Sequence, residues 1–134
     1  AGEPPGLLAL IVVLDQFSRN LYRDDPRAFA QDERALSAAR LMVERRWDES
    51  LLPVERLFAY LPFEHAEDLA EQDRCVALMG ALEAFEETRG MVTWAEKHRV
   101  IVRRFGRFPH RNEALGRAST PEEAAFLKEP GSRF

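Results

Sequence analysis

The sequence holds one cysteine, Cys75, in 134 residues. A lone thiol excludes an internal disulfide and makes a reducing cytoplasm the default compartment. Long apolar runs are also missing. The one extended run, Leu7–Leu14, is too short to span a bilayer, for which about 20 residues are needed. Asp15 follows it directly, and no basic leader or small-residue cleavage site accompanies it, so neither a membrane span nor a signal peptide is expected. There is no excess of positive charge: the net charge is −4 and the pI near 5.5. That balance argues against a dedicated nucleic-acid binder. Glycine-rich phosphate loops, nucleophile elbows and paired-cysteine motifs are absent, and no cofactor is expected. β-branched residues are sparse and nowhere alternate with polar ones for long, which leaves no candidate strand.

What is present reads as one all-α domain over residues 1–134. Apolar residues at 46% and charged residues at 31% suit a soluble chain with a real core. Pro5-Gly6 precedes a first helix to about Tyr22. Asp25-Pro26 fits an N-cap followed by proline, and helical pattern continues to about Arg46 with a break near Gln31-Asp32. Pro53 should start a short helix that Pro62 ends near Leu61. A longer helix is expected over Glu67–Glu83, with Cys75 in its apolar pattern as a buried, inert thiol. Another covers Val92–Phe105 and stops at Gly106. Pro109–Leu115 reads as a short helix with Gly116 after it, and Thr120-Pro121-Glu122-Glu123 spells a capping box for a last helix before Pro130. Short turns between such helices predict either a tetratricopeptide-like array of helical hairpins or a closed helical bundle. No clean 34-residue repeat is visible.

The first helix is apolar around its whole circumference, Leu7 through Leu14, although it has a sequence neighbour on one flank alone. Such a helix wants cover on all sides. Either a partner covers it, as in a homo-oligomer, or an upstream segment does.

Charge is strongly partitioned. Residues 97–117 carry Lys97, Arg99, Arg103, Arg104, Arg107, Arg111 and Arg117 against Glu113 alone, a net of +6. Residues 64–96 carry nine acids against Arg74 and Arg89, a net of −7. Packed together the two would neutralise each other. The alternative is that the basic segment awaits an anion, with the His110, Arg111 and Asn112 amides near a helix start. Asp15, Arg19 and Arg23 fall at i, i+4 and i+8, so a buried ion pair beside Gln16 is expected. His65 lies among Glu64, Glu67 and Asp68, but no pair there has metal-ligand spacing, and no metal is expected unless His65, His98 and His110 converge. His65 should instead cap a helix or hydrogen-bond across the fold.

Three strings, Leu14-Asp15-Gln16-Phe17-Ser18-Arg19-Asn20, Leu61-Pro62-Phe63-Glu64-His65-Ala66-Glu67-Asp68 and Arg104 through Arg117, together with Ser119–Glu123, resemble the bacterial domain-of-unknown-function family 924. The likeness covers nearly the whole chain, with Ser18 where proline is usual and Ala66 where serine is usual. The resemblance implies a tetratricopeptide-like superhelix and an upstream opening rich in tryptophan and phenylalanine. It implies no activity.

Three functions are open on this reading. A binding module would hold an anionic small molecule or an acidic peptide with Gln16, Arg19, Arg104, Arg107, His110, Arg111, Asn112 and Arg117. A hydrolase-like enzyme would use His65 or His110 as general base beside Asp15 or Glu67. A purely structural polar core would leave function to oligomerisation. A histidine nitrogen without protein partners, facing a water-accessible pocket, would favour the enzyme.

Overall fold

The computed structural model describes residues 4–22 and 25–133, and among them there is no strand. Arg23, the third member of the expected charge series, lies outside them. The first helix runs as α1 (Pro4–Val12), a π-helical turn (Val13–Phe17) and α2 (Ser18–Leu21). A cap follows as expected: the Asp25 carboxylate accepts the Arg27 amide at 2.9 Å, and Pro26 opens a 3-10 turn (Pro26–Phe29). The main helices are α3 (Asp32–Glu44), α4 (Pro53–Glu64), α5 (Leu69–Ala81) and α6 (Val92–Phe105). Each packs on the next in sequence, and α1 packs on α3 and α4.

The two larger departures from expectation have physical reasons. Helix α4 runs through Pro62 to Glu64. A proline this close to the end forfeits one backbone hydrogen bond, and the ladder resumes beyond it, with the His65 amide donating to the Leu61 carbonyl at 3.0 Å. Pro109–Leu115 does not form an α-helix. Residues Pro109–Arg111 make a 3-10 turn, and the chain then turns to Gly116, whose φ is +68°. The expected helix start is therefore a short turn. The Arg111 and Asn112 amides are spent on the Phe108 and Pro109 carbonyls, each at 3.0 Å.

Elsewhere the punctuation holds. Helix α6 ends at Gly106, whose φ of +75° suits a residue without a Cβ. Helix α5 begins two residues later than expected because Asp68 is its cap, accepting the Glu71 amide. Helix α7 (Pro121–Phe126) starts with both halves of its capping box: Glu123 N–H donates to Thr120 Oγ1, and Thr120 N–H donates to the Glu123 carboxylate.

The main core gathers Leu7, Ile11, Met42, Tyr60, Phe63, Met79 and Leu82, with Cys75 fully buried among them. Each such side chain contributes roughly 1.5–3 kcal/mol by leaving water. A smaller cluster of Ile101, Val102 and Phe108, with Phe105 and Phe126 against it, anchors the C-terminal segment. The first helix is covered on one side only. Leu10, Val13, Phe17 and Leu21 form an exposed apolar stripe, with Phe17 59% and Leu21 61% exposed. No helix among the described residues is long and apolar enough to cross a membrane.

Candidate functional site

The π-helical turn sets the site. It inserts one residue's worth of extra backbone into the first helix and carries Asp15, which is 2% exposed. A carboxylate buried that deeply needs partners. Arg19 Nη1 donates to Asp15 Oδ1 at 3.1 Å and to its carbonyl at 2.8 Å, Gln16 Nε2 donates to Oδ2, and His65 Nδ1 lies 2.8 Å from Oδ1. Burial pushes Asp15 towards neutrality, but His65 and Arg19 outweigh it and hold the carboxyl below its usual range. Ionised Asp15 can only accept, so His65 Nδ1 carries the proton. Burial pushes the imidazole below its usual value against the pull of Asp15, and Arg19 and Arg111 reinforce the fall.

His65 follows the last residue of α4 and is held by its backbone as well. Its amide bonds Leu61, and its carbonyl accepts Arg111 Nη2 at 2.8 Å. Three of its four polar atoms are engaged. Nε2 has no hydrogen-bond partner among the described residues, nor is it one of their sealed, unpaired polar atoms.

Arg19 reaches onward. Its Nη1 and Nη2 grip Asp32, each at 3.0 Å, and Arg111 Nη1 lies 3.5 Å from Asp32 and 4.0 Å from Glu67. Arg111 is clamped between the Phe29 and Phe108 rings, 4.5 and 4.8 Å from their centroids. Burial pushes its guanidinium down to about 10. Glu67 takes a two-pronged bond from Arg117 at 2.9 and 3.0 Å and the Phe108 amide at 2.7 Å. The acidic and basic segments thus interlock where Glu67 faces Arg111 and Arg117, and outside both segments Asp32 pairs with Arg19 and faces Arg111.

Above this frame lies a cavity of about 390 Å³. Its wall includes five carboxylates, Asp15, Asp32, Glu33, Glu67 and Asp68, but two guanidinium groups, Arg40 and Arg111, with His65 among them. Arg40 is itself opposed by Glu71 at 2.9 Å.

The other expected ligand residues lie elsewhere. Arg107 grips Glu123 with two bonds at 2.8 and 2.9 Å, which holds Glu123 down at about 2. Arg104 lies over the Phe105 and Phe126 rings. Asn112 is buried, donating to Ser119 and accepting from Arg117. His110 borders a separate hollow with Glu113 and Arg133, and burial pushes it down to about 4. The His65 and His98 rings are 6.2 Å apart, and Phe108 packs against both His98 and His110. Among the described residues no three His, Cys, Asp or Glu side chains are placed to hold a metal ion. His98 Nδ1 bonds the Trp94 carbonyl at 2.7 Å, and burial pushes it down to about 4.

Two groups here, Asp32 and Glu64, escaped the sequence reading as site residues. Glu64 is 6% exposed, and burial and the Asp15 charge push its carboxyl up to about 7. Its place beside His65 in sequence was visible, but its inward turn depends on α4 continuing past Pro62.

Residues 1–131 match the family model described as "Bacterial protein of unknown function (DUF924)". The chain belongs to this family. A solved structure of a protein of unknown function from Agrobacterium tumefaciens agrees in both sequence and shape. It is 42% identical, with a TM-score of 0.84 over 94% of this chain and 69% of that one. No curated protein matches the chain. DUF924 membership carries no activity with it, so chemistry must be argued from the site.

Proposed function

We propose that this DUF924 domain binds a small polar molecule in the cavity beside His65 and Asp32. The observation that supports it is a cavity bordered by His65, whose Nε2 has no hydrogen-bond partner among the described residues and is not sealed. The frame's helical-hairpin character, of tetratricopeptide type, belongs to the same proposal, since α3 to α6 pack in sequence order.

The ligand is neutral or cationic. An anion, suggested by the arginine-rich segment, would meet five wall carboxylates against Arg40 and Arg111, each of which already faces an acid. Glu33 and Asp68, by contrast, have no basic partner among the described residues. The test is a fragment screen followed by amide chemical shifts. Hits should be neutral or cationic, perturb residues around Asp32, His65 and Arg111, and weaken in Glu33→Lys, an exposed position. Hits that map elsewhere, or a preference for phosphates and carboxylates, would overturn the reading.

A further inference from the structure

We infer that His65, aligned by Asp15, is a general base at the floor of this cavity, and that the domain hydrolyses a small neutral or cationic ester or amide. The inference rests on the cavity being a small-molecule site and adds a reaction to it.

Geometry carries the argument. A general base needs a bare lone pair, a fixed tautomer and access to substrate. The Asp15 carboxylate fixes the tautomer by accepting Nδ1–H, which leaves the lone pair on Nε2. Asp15 is itself locked by Arg19 and Gln16, and Arg19 is locked by Asp32, so the ring is oriented by a relay of charge-assisted bonds. The Arg111 bond to the His65 carbonyl fixes the backbone beneath the ring. This is the arrangement of a nucleophile-activating base with its orienting carboxylate. A histidine serving only as a structural link would have its second nitrogen paired or sealed, and Nε2 is neither.

The described site residues include no serine or cysteine nucleophile on the cavity wall, so the nucleophile is water. Nε2 takes one proton from the water while the water oxygen attacks the acyl carbon. The carbonyl π pair moves to oxygen. When that pair returns, the bond to the leaving oxygen or nitrogen breaks, and the imidazolium gives its proton to the leaving atom. Water is the sole co-reactant. Arg40 borders the cavity, with Nε and Nη2 bonded to Glu71 and no hydrogen bond at Nη1 among the described residues, and we assign it as the cation offered to the oxyanion. The surplus of wall carboxylates disfavours phosphoesters and selects uncharged or amine-bearing acyl compounds.

Two measurements test this. Diethyl pyrocarbonate attacks unprotonated imidazole nitrogen, and peptide mass spectrometry locates the adduct. His65 should react at least about tenfold faster than His98 and His110, and Asp15→Asn should slow it by a similar factor without slowing the other two. In parallel, p-nitrophenyl esters and p-nitroanilides, neutral and amine-bearing, are assayed with wild type, His65→Gln and Asp15→Asn, their folds checked by circular dichroism. The enzymatic rate should fall about 100-fold or more in His65→Gln, the usual worth of a general base. Equal reactivity of the three histidines, or a rate unchanged in a folded His65→Gln, overturns the inference. Fragments that bind the cavity while no ester or amide is turned over sink the reaction and leave the pocket standing. If no fragment binds there, the pocket reading falls as well.

Discussion

Replacing Glu67 by glutamine tests the interlocked frame directly. The carboxylate accepts two bonds from Arg117 and one from the Phe108 amide, with Arg111 at 4.0 Å. Glutamine keeps one oxygen and turns an N–H₂ towards donors. With its oxygen in the Oε2 position it keeps the Phe108 amide and Arg117 Nη2 bonds, loses the Nη1 bond and removes the charge that assisted all three, a charge-assisted bond counting about 1.5–3 kcal/mol. Glu67 and Arg117 are 22% and 24% exposed, so water recovers part of that. A net loss of about 3 kcal/mol is expected. A 134-residue chain has an unfolding entropy of roughly 0.28 kcal/mol/K, so Tm should fall by about 10 °C. The pH dependence has a definite sign. Burial opposes ionisation of Glu67, but Arg117, the Phe108 amide and Arg111 hold its pKa below the ordinary 4.5. A lowered carboxyl contributes stability that is complete above its unfolded pKa and is lost as pH falls through the folded one. The gap between wild type and Glu67→Gln should therefore be full at pH 7 and shrink below about pH 4.5. Differential scanning calorimetry at pH 7 and pH 3 measures both. A fall of under about 3 °C at pH 7, or an equal fall at both pH values, would refute the reasoning.

Two smaller effects follow from the same coordinates. Thr120→Ala removes the hydroxyl that accepts the Glu123 amide, and should cost about 1 kcal/mol, read as a Tm fall of about 3–4 °C. Phe17→Ser falls on the exposed stripe of the first helix, and chemical denaturation should move by no more than about 0.5 kcal/mol. A larger loss would mean that the ring is covered in solution.

Helix ends were legible wherever a local device made them. The Asp25 cap, the Gly106 stop and the Thr120 box each depend on residues within four positions, and each is found where local chemistry places it. Errors arose where tertiary packing overrode local rules. Pro62 reads as a stop because its ring removes one donor, but burying Phe63 and Glu64 against α5 and α6 keeps the helix going. The 109–115 stretch reads as a helix by its proline and glycine. Its side chains are instead committed outward from a turn, with Arg111 to Asp32 and Asn112 to Ser119, and a regular helix would not point them there. The helix that reads as apolar all round carries an exposed stripe, Leu10, Val13, Phe17 and Leu21.

The site was legible in its charges but not in its geometry. Opposite segment charges of −7 and +6 implied mutual neutralisation, and Glu67 with Arg111 and Arg117 realises it. The same local excess also suggested an anion site. That suggestion weakens once each guanidinium is traced, because Arg107 and Arg117 are spent in two-pronged pairs and Arg111 is clamped between rings. Asp15 and His65 stand fifty residues apart, so spacing could not join them. Their meeting requires the π turn that re-aims Asp15 and the α4 continuation that delivers His65, and neither device has a sequence signature of its own. Tracing every partner then changes which residue matters. In a frame where most arginines and acids pair, the informative leftover atoms are those that are not sealed: Arg111 Nε and Glu71 Oε2 are buried without partners, whereas His65 Nε2 is unpaired and unsealed.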